Sequence, residues 1–325
     1  MNIRTPGHSF TGVVCAGTIL LMASSAPAQN LFVADEYNNT IIEIAPSGLE
    51  STFASGIWQA GYLTFNKTGD LFAGVVGGII KITPGGGQSY FSFDAPYGLA
   101  FNSAGILFGA DYNGGNIYAY TPEGVRSTFA SGLSWPTGVA FNSADDLFVG
   151  NVGDGNIYEY TPGGVRSTFA TGLSYPTALA FNNEGDLFVA DEGSGTIIEI
   201  TPGGVRSTFA SGLSNPFGGP TGLAFNGAGD LFVAVPGNGG HIYEFTPDGT
   251  QSTFDSGMGQ PNGLAFQPTP EPSVLELLAV GATTLLVRCR RRNQERVTIN
   301  TNPPPALTHC ATNTLNAERG VRNAE

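Results

Sequence analysis

Cysteine is missing from the whole stretch between residues 29 and 269; the three copies in the chain are Cys15, Cys289 and Cys310. Whatever folds there has no disulfide and no thiol chemistry, so its stability must come from an apolar core. Basic residues are almost as scarce in that stretch. Lys67, Lys81, Arg126, Arg166 and Arg206 stand against 21 acidic residues, a net charge of −16. A surface of that sign repels phosphate backbones and excludes nucleic acid as a partner. His241 is the one histidine left there, since His8 and His309 lie outside, so a Ser-His-Asp set has a single position to be built on. The glycines sit at turns, and none forms a phosphate-cradling motif. Charged residues make up 12% of the chain but hydrophobic ones 41%, too apolar for disorder, and 47 glycines with 21 prolines favour short strands and tight turns over helices.

Long apolar runs are absent apart from one near each end. At the N-terminus, Arg4, the run 10–22 and Ala26-Pro27-Ala28 form the three parts of a secretory signal peptide over residues 1–28, with the mature chain starting at Gln29. A lipidated Cys15 is the rival reading, but Val14 stands where such sites want a small residue. Near the C-terminus, Pro270-Glu271-Pro272 leads into an apolar run from Val274 to Val287 and then Arg288, Arg290, Arg291 and Arg292. As a helix the run spans ~21 Å, short against a hydrocarbon core of ~30 Å, which suits a transient inner-membrane anchor with the arginines on the cytoplasmic side. Residues 270–292 resemble the PEP-CTERM sorting signal of exopolysaccharide-producing Gram-negative bacteria. The resemblance implies an exosortase-type processing enzyme as partner, and export to the cell surface, outer membrane or extracellular matrix. Glu276 interrupts the run, and residues 293–325 follow where the family's tag usually ends; that polar, aperiodic tail is expected to be disordered.

Between these ends the chain repeats itself. TPGGVRSTFA occurs at 161–170 and again at 201–210, with TPEGVRSTFA at 121–130. Around it, four elements each recur six times: an LF-x-A/G strand (from Leu31, Leu71, Leu107, Leu147, Leu187 and Leu231), an alternating strand such as NIYEY, an STFA strand, and a GLAF strand, at a period of 36 to 44 residues. Four strands at a period near 40 are the signature of a propeller blade. The sequence therefore predicts an all-β, six-bladed β-propeller of four-stranded antiparallel blades over residues 29–269. The first repeat lacks its GLAF strand and the last GLAF (263–266) is left over, so the C-terminal strand is expected to complete the first blade and close the ring.

These units resemble NHL-repeat and SMP-30/gluconolactonase-like propellers, best at 176–191 and 136–151. For fold the resemblance is specific; for function it is not, since one fold hosts many activities. It implies, in the lactonases, a divalent cation held in the central channel by Glu, Asn and Asp side chains near the starts of the inner strands. The corresponding positions are Gly61, Tyr97, Thr137, Thr177, Thr221 and Asn262, and only Asn262 matches that pattern. Three threonines and one amide make a poor cage for Ca²⁺ or another divalent cation, so no cofactor is expected. A metal-dependent lactonase or hydrolase stays open as the alternative to a binding or structural role, and a peptide-binding adaptor fits the fold without any pointer to it.

In an antiparallel meander the B-to-C and D-to-A connections share one face of the ring. That face collects Asp35, Glu36, Asp94, Asp111, Asp154, Asp191, Glu192 and Asp255 with Trp58, Tyr97, Trp135, Tyr175 and Phe217, while Arg126, Arg166 and Arg206 fall on the other. Acids among aromatic rings suit a saccharide, whose C–H faces pack on rings while its hydroxyls bond carboxylates. The candidate binding residues are Trp135, Tyr175, Phe217, Asp111, Asp191, Thr137, Thr177, Thr221 and Asn262. Asx-turns are the favoured account of Asp35, Asp111 and Asp191, and packing between blades explains Trp135 and Tyr175 as well as ligand stacking does. The insertion NPFGGP (215–220) breaks the repeat and is the favoured binding loop.

Overall fold

The structure, a computed structural model, describes residues 29–94, 96–216, 218–237 and 239–269. The expected leader, sorting segment and tail, and Phe217, lie outside the described residues. The division between the chain's two units falls after Thr269, where the repeats end.

Every regular element among the described residues is a strand, and the strands form six four-stranded antiparallel sheets. Blade 1 holds β1 (Leu31–Asp35), β2 (Thr40–Ile44) and β3 (Glu50–Ser55). Blade 2 holds β4 (Leu63–Phe65), β5 (Leu71–Val75), β6 (Gly78–Ile82) and β7 (Gln88–Ser92). Blade 3 runs through β8 (Leu99–Phe101), β9 (Leu107–Asp111), β10 (Asn116–Tyr120) and β11 (Arg126–Ala130). Blade 4 follows with β12 (Pro136–Phe141), β13 (Leu147–Asn151), β14 (Asn156–Tyr160) and β15 (Arg166–Ala170). Blade 5 contains β16 (Pro176–Phe181), β17 (Leu187–Asp191), β18 (Thr196–Ile200) and β19 (Arg206–Ala210). Blade 6 contains β20 (Gly222–Phe225), β21 (Leu231–Val235), β22 (His241–Phe245) and β23 (Gln251–Ser256), and β24 (Pro261–Phe266) then returns to blade 1. Inner strands touch in the order β24, β4, β8, β12, β16, β20 and back to β24, which closes a ring.

Burial follows position in the blade. The second strands, such as LFVAD in β1 and β17, are buried along their whole length because sheets pack against both of their faces. The third strands are buried in part, as in NIYEY of β14, where Ile157 and Tyr160 are buried and the rest half-buried, and the outermost strands expose RST before half-burying FA. The shared TPGGVR segment is the outer hairpin. The Thr161 carbonyl accepts from Gly164 N–H at 2.8 Å, Thr161 N–H donates to Val165 O at 3.0 Å, and Gly164 supplies the φ of 82° that the turn needs.

The blades are joined by phenylalanine. Each LF phenylalanine meets the STF phenylalanine of its own blade and the GLAF phenylalanine of the next, edge to face: Phe188 lies 5.0 Å from both Phe209 and Phe225 with interplanar angles of 80°. The same trio recurs around Phe32, Phe72, Phe108, Phe148 and Phe232. Its last copy, Phe232 with Phe266, ties blade 6 to the strand that closes blade 1.

Closure adds backbone pairing and a side-chain clamp. β24 runs antiparallel to β1 with Leu31 opposite Phe266 and Val33 opposite Leu264. Asp35, buried at the end of β1, accepts from Gly259 N–H at 3.0 Å and Gln260 N–H at 2.9 Å, holding the loop that leads into β24. Burial pushes the Asp35 carboxyl up, but the Gln260 and Gly259 amides and Asn38 outweigh it and hold it below the usual aspartate range.

The two-face sorting of loops holds near the axis and gives way at the rim. Arg126, assigned to the opposite face, pairs with Asp94 of blade 2, and Arg206 reaches Thr171 O at 3.3 Å in the linker that follows blade 4. Strand twist accumulates from the inner to the outer strand and swings each outer hairpin toward the preceding blade.

Two outcomes are expected. Phe188→Ala should cost about 3–5 kcal/mol in urea unfolding; a loss near 1 kcal/mol would show that the blades do not depend on these trios. Asp35→Ala should destabilise the protein by about 1–3 kcal/mol at neutral pH. Because the folded pKa is depressed, that difference should be present above the ordinary aspartate pKa and shrink as pH falls toward the folded value; thermal melts from pH 7 to pH 2 measure it.

Candidate functional site

At the axis, on the face formed by the B-to-C and D-to-A connections, the blades leave a cavity of about 470 Å³. All six positions singled out before the inner strands line it: Gly61, Tyr97, Thr137, Thr177, Thr221 and Asn262. The inner strands press close here. A Cβ on Gly138 would lie 2.6 Å from Thr177 O, which explains a glycine at that position in four of the six GLAF strands. The threonines stitch neighbouring blades. Thr137 Oγ1 donates to Pro176 O at 2.7 Å, Thr177 Oγ1 to Pro220 O at 3.1 Å, and Thr221 Oγ1 to Pro261 O at 3.4 Å. Register shifts between Pro136 and Val139 and between Pro176 and Ala178 accompany this turning of Thr137 and Thr177 out of the ladder. Asn262 Nδ2 donates to the Glu36 carboxylate.

Blade 2 breaks the pattern. Where other blades have glycine or alanine, YLTF places Tyr62, and its hydroxyl reaches across the axis to donate to Thr177 O of the opposite blade at 3.0 Å. The sequence offered a signal, a tyrosine at a glycine position, but the strand was read only as a variant of GLAF. From Tyr62 an arc of rings runs along the mouth. Tyr62 and Tyr97 are 6.4 Å apart, Tyr97 and Tyr112 4.9 Å, and Tyr112 stacks on Trp135 at 6.1 Å and 14°. The Tyr112 and Tyr175 hydroxyls pair at 3.2 Å, and this bond, with partial burial, pushes the Tyr112 pKa up to about 12. Tyr112 was also missed, because it sits in a B-to-C loop where other blades carry Glu36, Val152 and Glu192 at the same place.

Trp135 and Tyr175 are held at φ 56° and 71°, a left-handed conformation that costs a bulky residue free energy, and their rings are 51% and 43% exposed. A strained backbone that presents a ring to solvent gains nothing from core packing.

The aspartates do local work. Asp191 accepts from Ser174 N–H at 2.6 Å and Ser194 Oγ at 2.7 Å; Asp111 accepts from Gly114 N–H at 2.9 Å and Tyr118 Oη at 3.2 Å. In blade 4 Asn151 does what Asp191 does, accepting from Ser134 N–H at 2.8 Å. The described part of the insertion 215–220 packs on Glu192, with Gly219 against its backbone and Gly218 beside its carboxylate. Glu192 lines the cavity, and burial raises its pKa above the ordinary glutamate value.

As a metal centre the cavity does not fit. Among the described residues no three His, Cys, Asp or Glu side chains come together to hold an ion. The threonine hydroxyls point their protons at carbonyls, and Glu36 is the one carboxylate bonded to Asn262. A hard divalent cation needs several anionic oxygens to offset its dehydration.

No family model and no curated protein matches the chain. Solved structures do match in fold. A streptogramin B lyase aligns with a TM-score of 0.59 at 18% identity, over 75% of this chain and 88% of that one. A virginiamycin B lyase from Staphylococcus aureus aligns at 0.56 and 18%, over 70% and 81%. A gluconolactonase from Xanthomonas campestris aligns at 0.55 and 15%, over 63% and 78%. At such identities the likeness is one of fold: a six-bladed propeller.

The raised Glu192 pKa makes a prediction. The folded protein binds this proton more tightly than the unfolded chain, so the stability it contributes is present at low pH and lost as pH rises through the folded value. Glu192→Gln keeps the neutral form at every pH. The variant should melt higher than the parent at pH 7, and the two should converge below about pH 4; a constant difference across that range would show that burial of the charge is not the cause.

Proposed function

We propose that this protein is an exported propeller that binds a saccharide of an extracellular polysaccharide matrix at the mouth of its central channel. The observation that carries the reading is the aromatic arc, Tyr62, Tyr97, Tyr112 and Trp135 with Tyr175, beside a cavity holding Glu36, Asn262 and Glu192. Rings supply flat apolar faces for a sugar's C–H groups, and the carboxylates accept from its hydroxyls. The signal-like N-terminus and the sorting-signal-like segment supply the route: export, a transient inner-membrane anchor, and release by an exosortase-type enzyme to the surface or matrix.

The competing reading is catalysis of the kind the neighbours' names describe. In its favour, Asn262 and Glu36 meet on the channel wall at the position the lactonase resemblance implies. Against it, the donor set is too neutral for a catalytic metal. One virginiamycin B lyase neighbour was solved as a catalytically inactive histidine-to-alanine variant. Here His241 opens β22, stacks on Tyr243 at 5.6 Å, and is not among the residues that line the mouth.

Retention of the full chain on a glycan array tests the proposal. Trp135→Gly and Tyr175→Gly relieve the left-handed strain while removing the ring, so both variants should keep the parent's melting temperature and lose most of the retention. Undiminished retention would remove the rings from the site. No retention of the parent on any glycan would remove the saccharide.

A further inference from the structure

We propose that the saccharide is cationic: the channel mouth is built for an amino sugar bearing a free ammonium, as in a deacetylated hexosamine polymer. This rests on the saccharide reading above and adds the charge of the ligand.

The argument starts from a count of protons. Thr137, Thr177 and Thr221 each spend their hydroxyl proton on a proline carbonyl of the next blade. Tyr62 spends its own on Thr177 O, and one of the Tyr112 and Tyr175 pair donates to the other. Asn262 gives an amide proton to Glu36. What these groups offer a ligand is mainly lone pairs. Two carboxylates, Glu36 and Glu192, line the same cavity, and no lysine, arginine or histidine does among its described lining residues. Gln59, Asn113 and Tyr97 on the same wall also carry donors, but the wall's charge is all negative, and that suits a ligand rich in donors and positively charged. An ammonium carries three N–H donors and no acceptor, whereas the carboxylate that sets a uronate apart is negative and only accepts.

The rings point the same way. Four tyrosines line the cavity, and the face of an aromatic ring attracts a cation through its quadrupole. The same rings stack against a pyranose, so one surface serves both parts of an amino sugar. Glu192 is half-buried under the insertion, and burial raises its pKa with no compensating cation among the described residues. A ligand ammonium would supply that compensation. Between residues 29 and 269 the net charge of −16 extends the attraction beyond the cavity.

The test is calorimetric titration of the full chain with four tetrasaccharides of matched linkage: glucosamine, N-acetylglucosamine, glucose and a uronate. Glucosamine should bind about tenfold more tightly than the acetylated and neutral oligomers, the worth of one charge-assisted hydrogen bond, and the uronate should not bind. That advantage should shrink in Glu192→Gln and in Glu36→Gln. It should also fall for the parent chain between low salt and 0.5 M salt, a readout that needs no variant. Equal affinity for glucosamine and glucose would overturn the charge inference and leave the saccharide reading standing. Binding to none of the four would overturn both. A tetralysine peptide bound as tightly as the glucosamine oligomer would show that the site reads charge without sugar, and would overturn the proposal.

Discussion

Edge-to-face packing of phenylalanine across each seam between blades is the interaction on which the ring rests. A single such contact contributes ~0.5–1.5 kcal/mol beyond area burial, and each trio has two, one within a blade and one across the seam to the next. Their sum around the ring is on the order of 10 kcal/mol, comparable with the whole net stability of a folded domain. The geometry matters as much as the energy. Because each trio takes one ring from a blade's second strand, one from its outer strand and one from the next blade's inner strand, it fixes the angle between neighbouring sheets. Repeating that angle six times brings the last sheet back to the first. The closing trio then depends on a strand that arrives from the far end of the chain, and Asp35 adds a clamp on the loop that delivers it.

A ring with equal seams leaves a gap on its axis, and the chain treats its two halves differently. Across blades 4, 5 and 6 and into blade 1, threonine hydroxyls bridge each inner strand to the next, which leaves that wall rigid and its protons committed. Blade 2 contributes Gly61 and Tyr62 and blade 3 contributes Tyr97 and Tyr112, none of which stitches one blade to the next in this way. The consequence is a cavity with a polar wall on one side and aromatic rings on the other, bridged by the Tyr62 hydroxyl. Equivalent positions have diverged without disturbing the trios farther out, because the seams are held one strand-width away from the axis.

That separation governs what was legible in the sequence. The number of blades, the closing strand and the six residues that face the channel all follow from period and alignment, since each depends on a position repeated six times. Contacts that join different repeats do not. Asn262 meets Glu36 across 226 residues, and Tyr62 meets Thr177 across 115; no spacing rule links either pair. Asp111 and Asp191 illustrate the reverse case: their recurrence is explained by the turns they cap, and the Asn151 copy makes the same kind of bond. Arg126 escaped the sorting of loops because that sorting treats strands as parallel to the axis, while twist carries the outer hairpins across to the preceding blade.

Departure from the repeat is therefore a better guide to the site than the repeat itself, provided the departure carries a cost. Tyr62 occupies a position where close approach of inner strands otherwise demands a small residue. Trp135 and Tyr175 put rings on a left-handed backbone that Gln59 shares before blade 2 and that glycine would adopt without strain. Glu192 keeps a carboxylate under a loop that raises its pKa. The strained backbones and the buried carboxylate oppose stability, and all of these residues line one cavity or, as Trp135 does, stack on a residue that lines it. A scaffold selected for stability alone would have copied the cheaper residue from a neighbouring blade, as it copied TPGGVRSTFA without change. Strained, ring-bearing positions and a buried carboxylate kept around one opening are what a binding site leaves in a repetitive fold, and rings beside an uncompensated carboxylate describe its ligand.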